Sequence, residues 1–343
     1  MELTKCKLGE LITQRREKND GSDLPICGVS KDGLIPPKQK DADTSIYNVF
    51  YRDDFIFNPA RMELNSIAIN DMYDRAICSS LYEVFYVHRT DLLLPHYLKL
   101  IIRQKWFTRY CEFLGQGSAR EYCRFGNISE IEIEFPPIKE QQKIVDYNTA
   151  IENRIALKQK INDNLEAMLT AVFFDTFSPK KTAERSKLSE LMSFGNGKSR
   201  PKTDGTIPVY GGNGVLSYTD QYNIENAILV GRVGAYCGSV YLEQGICWVS
   251  DNAIFAKSKL SKDEFFDYFL LKSLNLFNHH VGTGQQLLTQ EILNNIEVAK
   301  PDYEQIEAFN DKAKAVYETI TANKSEIVRL KELSDLLLSR LAG

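Results

Sequence analysis

The residues of this chain best suited to chemistry are glutamines, arginines and lysines set in glycine-rich turns, and the chemistry they suit is recognition. Gly115-Gln116-Gly117-Ser118-Ala119-Arg120 and Gly282-Thr283-Gly284-Gln285-Gln286 are two such turns. Glutamine pairs bidentately with adenine and arginine with guanine, and serine bonds to either, so Gln116, Ser118, Arg120, Gln285 and Gln286 are candidate base readers. Glycine also supplies positive φ for purely structural turns, and that reading stays open beside the first. Around Gly195-Asn196-Gly197-Lys198-Ser199, three cations (Lys198, Arg200 and Lys202) are placed to meet phosphates. The competing account is a merely solvated basic loop. The stretch is not a phosphate-binding loop, because the first glycine of Gly-x4-Gly-Lys-Ser falls on Met192.

The elements that must hold these turns are written twice. Leu8-Gly9-Glu10-Leu11 recurs as Leu188-Ser189-Glu190-Leu191, and Phe55-Ile56-Phe57 as Ile228-Leu229-Val230. His96-Tyr97-Leu98 is echoed by Asp267-Tyr268-Phe269, Gly115-Gln116-Gly117 by Gly282-Thr283-Gly284, and Pro137-Ile138-Lys139-Glu140-Gln141 by Pro301-Asp302-Tyr303-Glu304-Gln305. The offset drifts from 180 to 164 but the order never breaks, which is the mark of a duplicated unit. Arg61 and Arg232 fall at matching places in the two copies, next to strand-like runs. That placement makes both candidates for DNA contact, with an intradomain salt bridge as the rival.

Each copy opens with short apolar runs (Ser66–Ile69, Val84–Val87; Ala227–Val230, Ala253–Phe255) among Gly, Asn and Asp turns, and one helix is predicted near Pro95–Tyr110 and again near Asp263–Asn278. Each copy then closes on a long helix beginning just after Pro137 or Pro301, since proline is tolerated only at or before the first turn. Ile306, Phe309, Ala313, Val316, Ile320, Asn323, Ile327, Leu330, Ser334, Leu337 and Leu341 alternate by three and four, a coiled-coil seam over five heptads. Ile144, Ile151, Lys158, Leu165 and Val172 repeat it in the first copy, with Lys158 where Asn323 falls. A polar seam residue either fixes register or marks a solvated stretch, and the sequence leaves both open. Two equal seams pair most simply with each other, antiparallel, and about 35 helical residues span roughly 50 Å.

With these features the chain resembles the DNA-specificity subunits of type I restriction-modification enzymes. The duplicated α+β domain, the Gly-x-Gly turn, the Pro-x-x-Glu-Gln junction and the long spacer helix carry the resemblance, which covers essentially the whole chain. Ile207-Pro208-Val209-Tyr210-Gly211-Gly212-Asn213-Gly214, Ile228-Leu229-Val230-Gly231-Arg232-Val233-Gly234 and Ser250-Asp251-Asn252 look like parts of that family's target-recognition domains. The first copy has Ile26-Cys27-Gly28-Val29-Ser30 in place of the glycine-rich turn, so the two domains need not read similar DNA. The resemblance implies an α+β fold of two duplicated target-recognition domains, residues 1–136 and 179–300. Two long antiparallel coiled-coil helices, residues 137–178 and 301–343, join them. It implies double-stranded DNA, methyltransferase subunits and restriction (nuclease-translocase) subunits as partners. It implies no catalytic site, and no cofactor is expected. Tyr210 and Asn213 join the candidate DNA contacts on this ground. A tyrosine such as Tyr47, Tyr51, Tyr210, Tyr218, Tyr222 or Tyr236 packs either in the core or on sugar and phosphate, core being favoured for any single one.

Searches for reaction chemistry fail. Ile35-Pro36-Pro37-Lys38 and Phe135-Pro136-Pro137-Ile138 lack the Asn/Asp before and the aromatic after that an amino-methyltransferase needs, and nothing near His279-His280 completes a metal set. Pro301-Asp302 opens a nuclease-like signature with no Glu-x-Lys to follow. The seven cysteines are odd in number and form no Cys-x-x-Cys pair, which fits a reducing cytoplasm; no membrane span and no signal peptide are expected. Composition (343 residues, 43% hydrophobic, 26% charged) fits two globular domains. Net charge is −4, and neither half is basic: 18 Lys/Arg against 20 Asp/Glu in 1–135, and 13 against 12 in 180–300. DNA contact must then come from local patches or lean on a partner. The acidity is the best support for the alternative, a protein-interaction scaffold with a coiled-coil rod.

Overall fold

The computed structural model of the chain describes residues 3–31, 33–37, 43–115, 122–177, 184–282 and 284–339. Gln116, Ser118 and Arg120 lie outside the described residues. The chain divides into two compact units, Met1–Leu157 with Glu326–Gly343, and Lys158–Ser325. Each holds one α+β globular part and a stretch of both long helices.

In the first unit the apolar runs form two four-stranded sheets. One has the order Ile12–Arg15, Glu83–Val87, Phe55–Phe57, Ile67–Ile69, all antiparallel. The other has the order Gly33–Ile35, Ile26–Ser30, Arg75–Cys78, Asn48–Tyr51, and its Ile26–Ser30 runs parallel to Arg75–Cys78. Phe55 stacks on Phe85 with centroids 5.0 Å apart, and Phe57 meets the same ring edge-on at 6.0 Å. Tyr97, Leu98 and Ile101 of the helix Pro95–Ile102 join that core. The single helix expected here is two, because the chain breaks at Arg103–Gln104 before Lys105–Gly115. Gln104 is the reason: its carbonyl accepts from Phe107 and Thr108, and its side chain accepts from the Trp106 indole.

The second unit repeats the plan in one six-stranded sheet, ordered Met192–Asn196, Ala253–Ser258, Ile224–Gly231, Val240–Val249, Ile207–Gly211, Gly214–Thr219. Here too a single strand, Ile207–Gly211, runs parallel to its neighbour, Val240–Val249. The ten-residue Val240–Val249 does the work of both Ile67–Ile69 and Arg75–Cys78 in the first unit. Between those two, the buried Asn70 side chain binds the backbone of Met72 and Tyr73 and folds an Asx turn. That turn splits one long strand, and hence one sheet, into two. Phe173 of the first long helix, Phe266 and Phe269 of Phe265–Ser273, and Phe309 of the second long helix centre the core, with Phe173 5.6–6.0 Å from the other three rings.

The long helices span Ile138–Thr176 and Tyr303–Ser339 and start where the prolines said they would. In the first unit Asn148 meets Ser334 at 3.1 Å and Arg154 meets Glu326 at 2.6 Å. Rising numbers on one helix meet falling numbers on the other, so the pair is antiparallel. In the second unit Lys158 Nζ donates to Asn323 Oδ1 at 2.8 Å, and Asn323 Nδ2 donates to Asn162 Oδ1 at 2.8 Å. Asn323 and Asn162 are 7% and 9% exposed, so the polar seam positions form an enclosed, bonded layer. This decides the choice the sequence left open in favour of a register device.

The repeated Pro-x-x-Glu-Gln signal does unequal work. Gln141 is fully buried: it donates to the carbonyls of Leu92 (2.7 Å) and Pro136 (2.8 Å) and accepts from Leu94 N (2.9 Å), bolting the helix start to its domain. Gln305 is exposed. In the second unit Asn310 takes the anchoring role, accepting from Phe266 N and donating to Ser261 and the Asp263 carbonyl. Gln141→Leu should therefore cost about 3 kcal/mol, since it orphans three buried groups, while Gln305→Leu stays within about 0.5 kcal/mol. Denaturant melts of the two variants test this, and equal losses would contradict it.

Asp267, in the first turn of Phe265–Ser273, is 1% exposed. Burial pushes its carboxyl up to about 7, against the lowering effect of a hydrogen bond with Ser258 and with the Glu264 charge adding to the rise. A folded-state value above the unfolded one means that stability is lost as pH climbs from about 4 toward 7. Asp267→Asn should raise Tm at pH 8, and its advantage over the parent should shrink as pH falls toward 4. A constant gap across that window would show that the carboxyl is not the titrating group.

Candidate nucleic-acid interface

In the second unit, segments far apart in sequence converge on one margin of the sheet, where its strands end and turn. The strands Ile207–Gly211 and Gly214–Thr219 form a hairpin whose two-residue turn, Gly212-Asn213, exposes Asn213. The strand Ile224–Gly231 ends beside that turn. A Cβ on Gly231 would lie 2.2 Å from the Tyr236 carbonyl oxygen and 2.8 Å from that of Gly212, so only glycine lets the two backbones approach so closely. Arg232 comes next. Its N–H donates to the Asn252 carbonyl at 3.0 Å, which ties in the Ser250–Asn252 turn, and its carbonyl accepts from Leu288 N at 2.9 Å.

The glycine-rich turn is fastened to the same edge. Val281 and Leu287 exchange both backbone hydrogen bonds, Leu287 bridges Val233, and Gly234 N donates to the Gln286 carbonyl at 3.1 Å. Gly282 enters the turn at φ +93°, a left-handed conformation that glycine adopts freely. Gln285 is carried out into solvent, and Gln286 is half-buried. Lys198 flanks the cluster from the other side, its N–H donating to Val249 O and its backbone bridging Ser250. The structure thus brings Lys198, Asn213, Arg232, Gln285 and Gln286 to one edge.

It does not bring Lys202 there. Its neighbour Thr203 bonds the Thr219 and Asp220 side chains, at the opposite end of the hairpin from Asn213. Arg200 is exposed between the two. Tyr210 sits at the edge by its backbone, but its hydroxyl donates to Glu243 at 2.9 Å and its ring packs 6.4 Å from that of Tyr241. Burial, and then the Glu243 charge, pushes its phenol above the ordinary range. The hydroxyl is spent inside the domain, the core side of the alternative that the sequence left open. Tyr236, which the sequence left between core and sugar-phosphate packing, is half-exposed, and Asn252, quoted above only within Ser250-Asp251-Asn252, supplies the carbonyl that holds Arg232 N. The local signal for both was the Gly-x-x-Gly run ending the strand and the Asn at a turn.

Arg232 is half-buried, and its Nε is enclosed with no hydrogen-bond partner. The intradomain salt bridge held open as its rival is not found: among the described residues no carboxylate lies within ion-pair distance. Other guanidiniums that the protein half-buries are supplied with acids. Arg15 makes a bidentate pair with Asp54 at 2.6 and 3.0 Å, and Arg75 lies beside Asp20 and Glu17.

In the first unit Arg61 lies in the 3-10 turn Pro59–Leu64, four residues beyond Phe57. Asn58 caps that turn through Ala60 N, and Cys123 N donates to the Pro59 carbonyl. The turn forms one wall of a cleft of 1330 Å³ that also holds Lys31, Tyr47, Tyr122 and Arg124. Arg124 pairs with Glu83 at 3.2 Å and lies over the Tyr122 ring. The exposed Arg61 side chain has no partner among the described residues. Arg124, missed at first, follows no motif; only the fold carries it to Arg61. Among the described residues no group of three or more His, Cys, Asp or Glu side chains is placed to hold a metal ion, and no helix is long and apolar enough to cross a membrane.

The chain is thus a duplicated domain on paired long helices, with glycine-set polar residues gathered at one place on the second unit's sheet. The family model described as the type I restriction modification DNA specificity domain matches residues 6–167 and again 180–332, and the chain belongs to that family. Its role is DNA sequence specificity, and the specificity subunit is the non-catalytic one. The chain is 21% identical over 301 residues to the MjaIX specificity subunit of Methanocaldococcus jannaschii, covering 73% of this chain and 69% of that protein. It is 29% identical over 108 residues to the HindI specificity subunit of Haemophilus influenzae, 30% of this chain but only 23% of that one. The fold is that of the crystal structure of a type I restriction-modification S subunit from M. genitalium, at TM-score 0.64 and 15% identity, over 99% of this chain and 96% of that one.

Because Gly231 admits no side chain, Gly231→Ala should push the strand end away from the Gly212 turn. We expect a loss of about 1–3 kcal/mol, read as a lower urea midpoint. Unchanged stability would mean that the approach of the two turns is not a constraint.

Proposed function

We propose that each globular part reads one half of a split duplex site from the major groove, and that the long helices hold the unread spacer between the halves. In this reading the reading face of the second unit is the edge bearing Asn213, Arg232, Gln285 and Gln286, with Lys198 on neighbouring phosphates. The face of the first unit is the cleft with Arg61, and Gln116, Ser118 and Arg120, outside the described residues, are proposed as further base readers of that unit. Residues 1–136 and 179–300 act as the recognition domains, and 137–178 and 301–343 as the spacer helices. The helices also dock methyltransferase subunits, and the assembly recruits restriction subunits in the cytoplasm.

The observation that carries this reading is the convergence at the second unit's edge. Three segments spread over more than seventy residues of sequence deliver an amide, a guanidinium and a second amide to one place, with glycines removing the side chains that would block approach. These are the groups that pair with base edges.

Mapping adenine methylation genome-wide in the native host reports both half-sites and the spacer at once. Arg232→Ala or Gln285→Ala should degrade recognition of one half-site only, by roughly 1–3 kcal/mol per lost base contact. Equal loss at both half-sites would assign the residue to folding or assembly. Failure to co-purify any methyltransferase would sink the partner assignment.

A further inference from the structure

We infer that Arg232 reads a guanine in the second unit's half-site, its guanidinium donating to the O6 and N7 acceptors of that base. The inference rests on the DNA-reading function proposed above and assigns a base within it.

The carrying observation is a missing acceptor. A guanidinium has five donors and never loses its charge, so enclosing part of one without a partner is costly. Nε of Arg232 is enclosed with no acceptor, and no carboxylate among the described residues lies within ion-pair distance of the group. Arg15 shows what the same chain does when the arginine is structural: it places Asp54 across both nitrogens. Arg75 shares the enclosed Nε, but its terminal nitrogen has Asp20 and Glu17, whereas the terminal nitrogens of Arg232 have no acceptor among the described residues and are left to a ligand.

The backbone beneath Arg232 is pinned on both faces, by Asn252 O on its N–H and Leu288 N on its carbonyl, with the bare Gly231 behind it. That fixes the point from which the side chain starts, and the planar guanidinium at its end suits a ligand with two adjacent acceptors in a plane. In DNA that is either the major-groove edge of guanine or a phosphodiester. The surroundings favour the base. The residues that the backbone brings to the same place as Arg232 include the amides of Asn213, Gln285 and Gln286 and a single cation, Lys198, whereas a backbone clamp gathers several cations.

The test uses the complex of this chain with its methyltransferase and duplexes carrying the site mapped from the host. Each guanine of the second unit's half-site, on either strand, is replaced in turn by 7-deazaguanine, which lacks the N7 acceptor. We expect one position, and one only, to lose roughly tenfold in affinity, the size of one base contact. The Arg232→Ala complex should be indifferent to that same replacement. Arg232→Lys, which keeps the charge but not the fork, should lose most of the discrimination and serves if the alanine variant fails to assemble.

Two results overturn the inference: a half-site with no guanine on either strand, or Arg232→Ala retaining the parent's sensitivity to 7-deazaguanine. A third, the phosphate outcome, overturns it as well: no guanine position is sensitive, and the variant binds all sequences more weakly with a salt slope smaller by about one. If the parent complex does not prefer the mapped duplex to a shuffled one, the DNA-reading function itself fails, which is distinguishable from each of these.

Discussion

The seam between the two long helices is the constraint on which each unit depends. Each unit takes its domain from one part of the chain and its helical stretches from both long helices, so neither is complete unless the helices meet in the right register. Apolar seams tolerate a slip of one heptad, because leucine replaces isoleucine at modest cost. Buried amides do not. In the second unit Asn323 accepts from Lys158 and donates to Asn162, both at 2.8 Å. A one-heptad slip would set those amides against hydrocarbon and leave each unsatisfied. The buried Asn148 with Ser334 repeats the device in the first unit, while the Arg154–Glu326 pair lies at the surface and is worth little to register.

The docking of domain to helix is more individual than the seam. Gln141 in one unit and Asn310 in the other both satisfy backbone groups where a helix packs on its domain, from different places on their helices. The aromatic cluster around Phe173 and Phe309 belongs to the second unit alone. A duplicated chain can drift in this way because the physical requirement is a satisfied backbone and a filled core, and several residue types at several positions meet it.

What the sequence made legible follows the same division. Proline sets helix starts and three-four spacing sets seams by local rules, and both helices begin after Pro137 and Pro301 with their apolar stripes paired. The sheets were less visible. Ala227–Val230 and Phe55–Phe57 are buried on both faces, so their alternation is erased, and nothing local says that Asn70 cuts one long strand into two. The break at Gln104 is likewise an effect of side-chain and backbone bonding rather than of propensity. The candidate site was legible as residue types and glycines, not as a place. That Asn213, Arg232 and Gln285 share an edge depends on long-range backbone pairing (Gly231 against Gly212, Leu287 against Val233). Tyr210 shows the limit of type alone, because its hydroxyl is taken by Glu243.

The low charge of the chain bears on how such a surface works. Affinity for duplex DNA comes largely from cations on phosphates and falls with salt, whereas discrimination among sequences comes from base edges. A net charge of −4 leaves little surplus of cations for phosphates, so on the proposed reading the amides and the guanidinium gathered with Lys198 would serve discrimination more than affinity. On that reading the two tasks would be divided, with discrimination on this chain and much of the cationic grip on the methyltransferase subunits proposed to dock on its helices. Under that division the base contacts of an acidic specificity component would decide where the complex stays rather than whether it meets DNA at all.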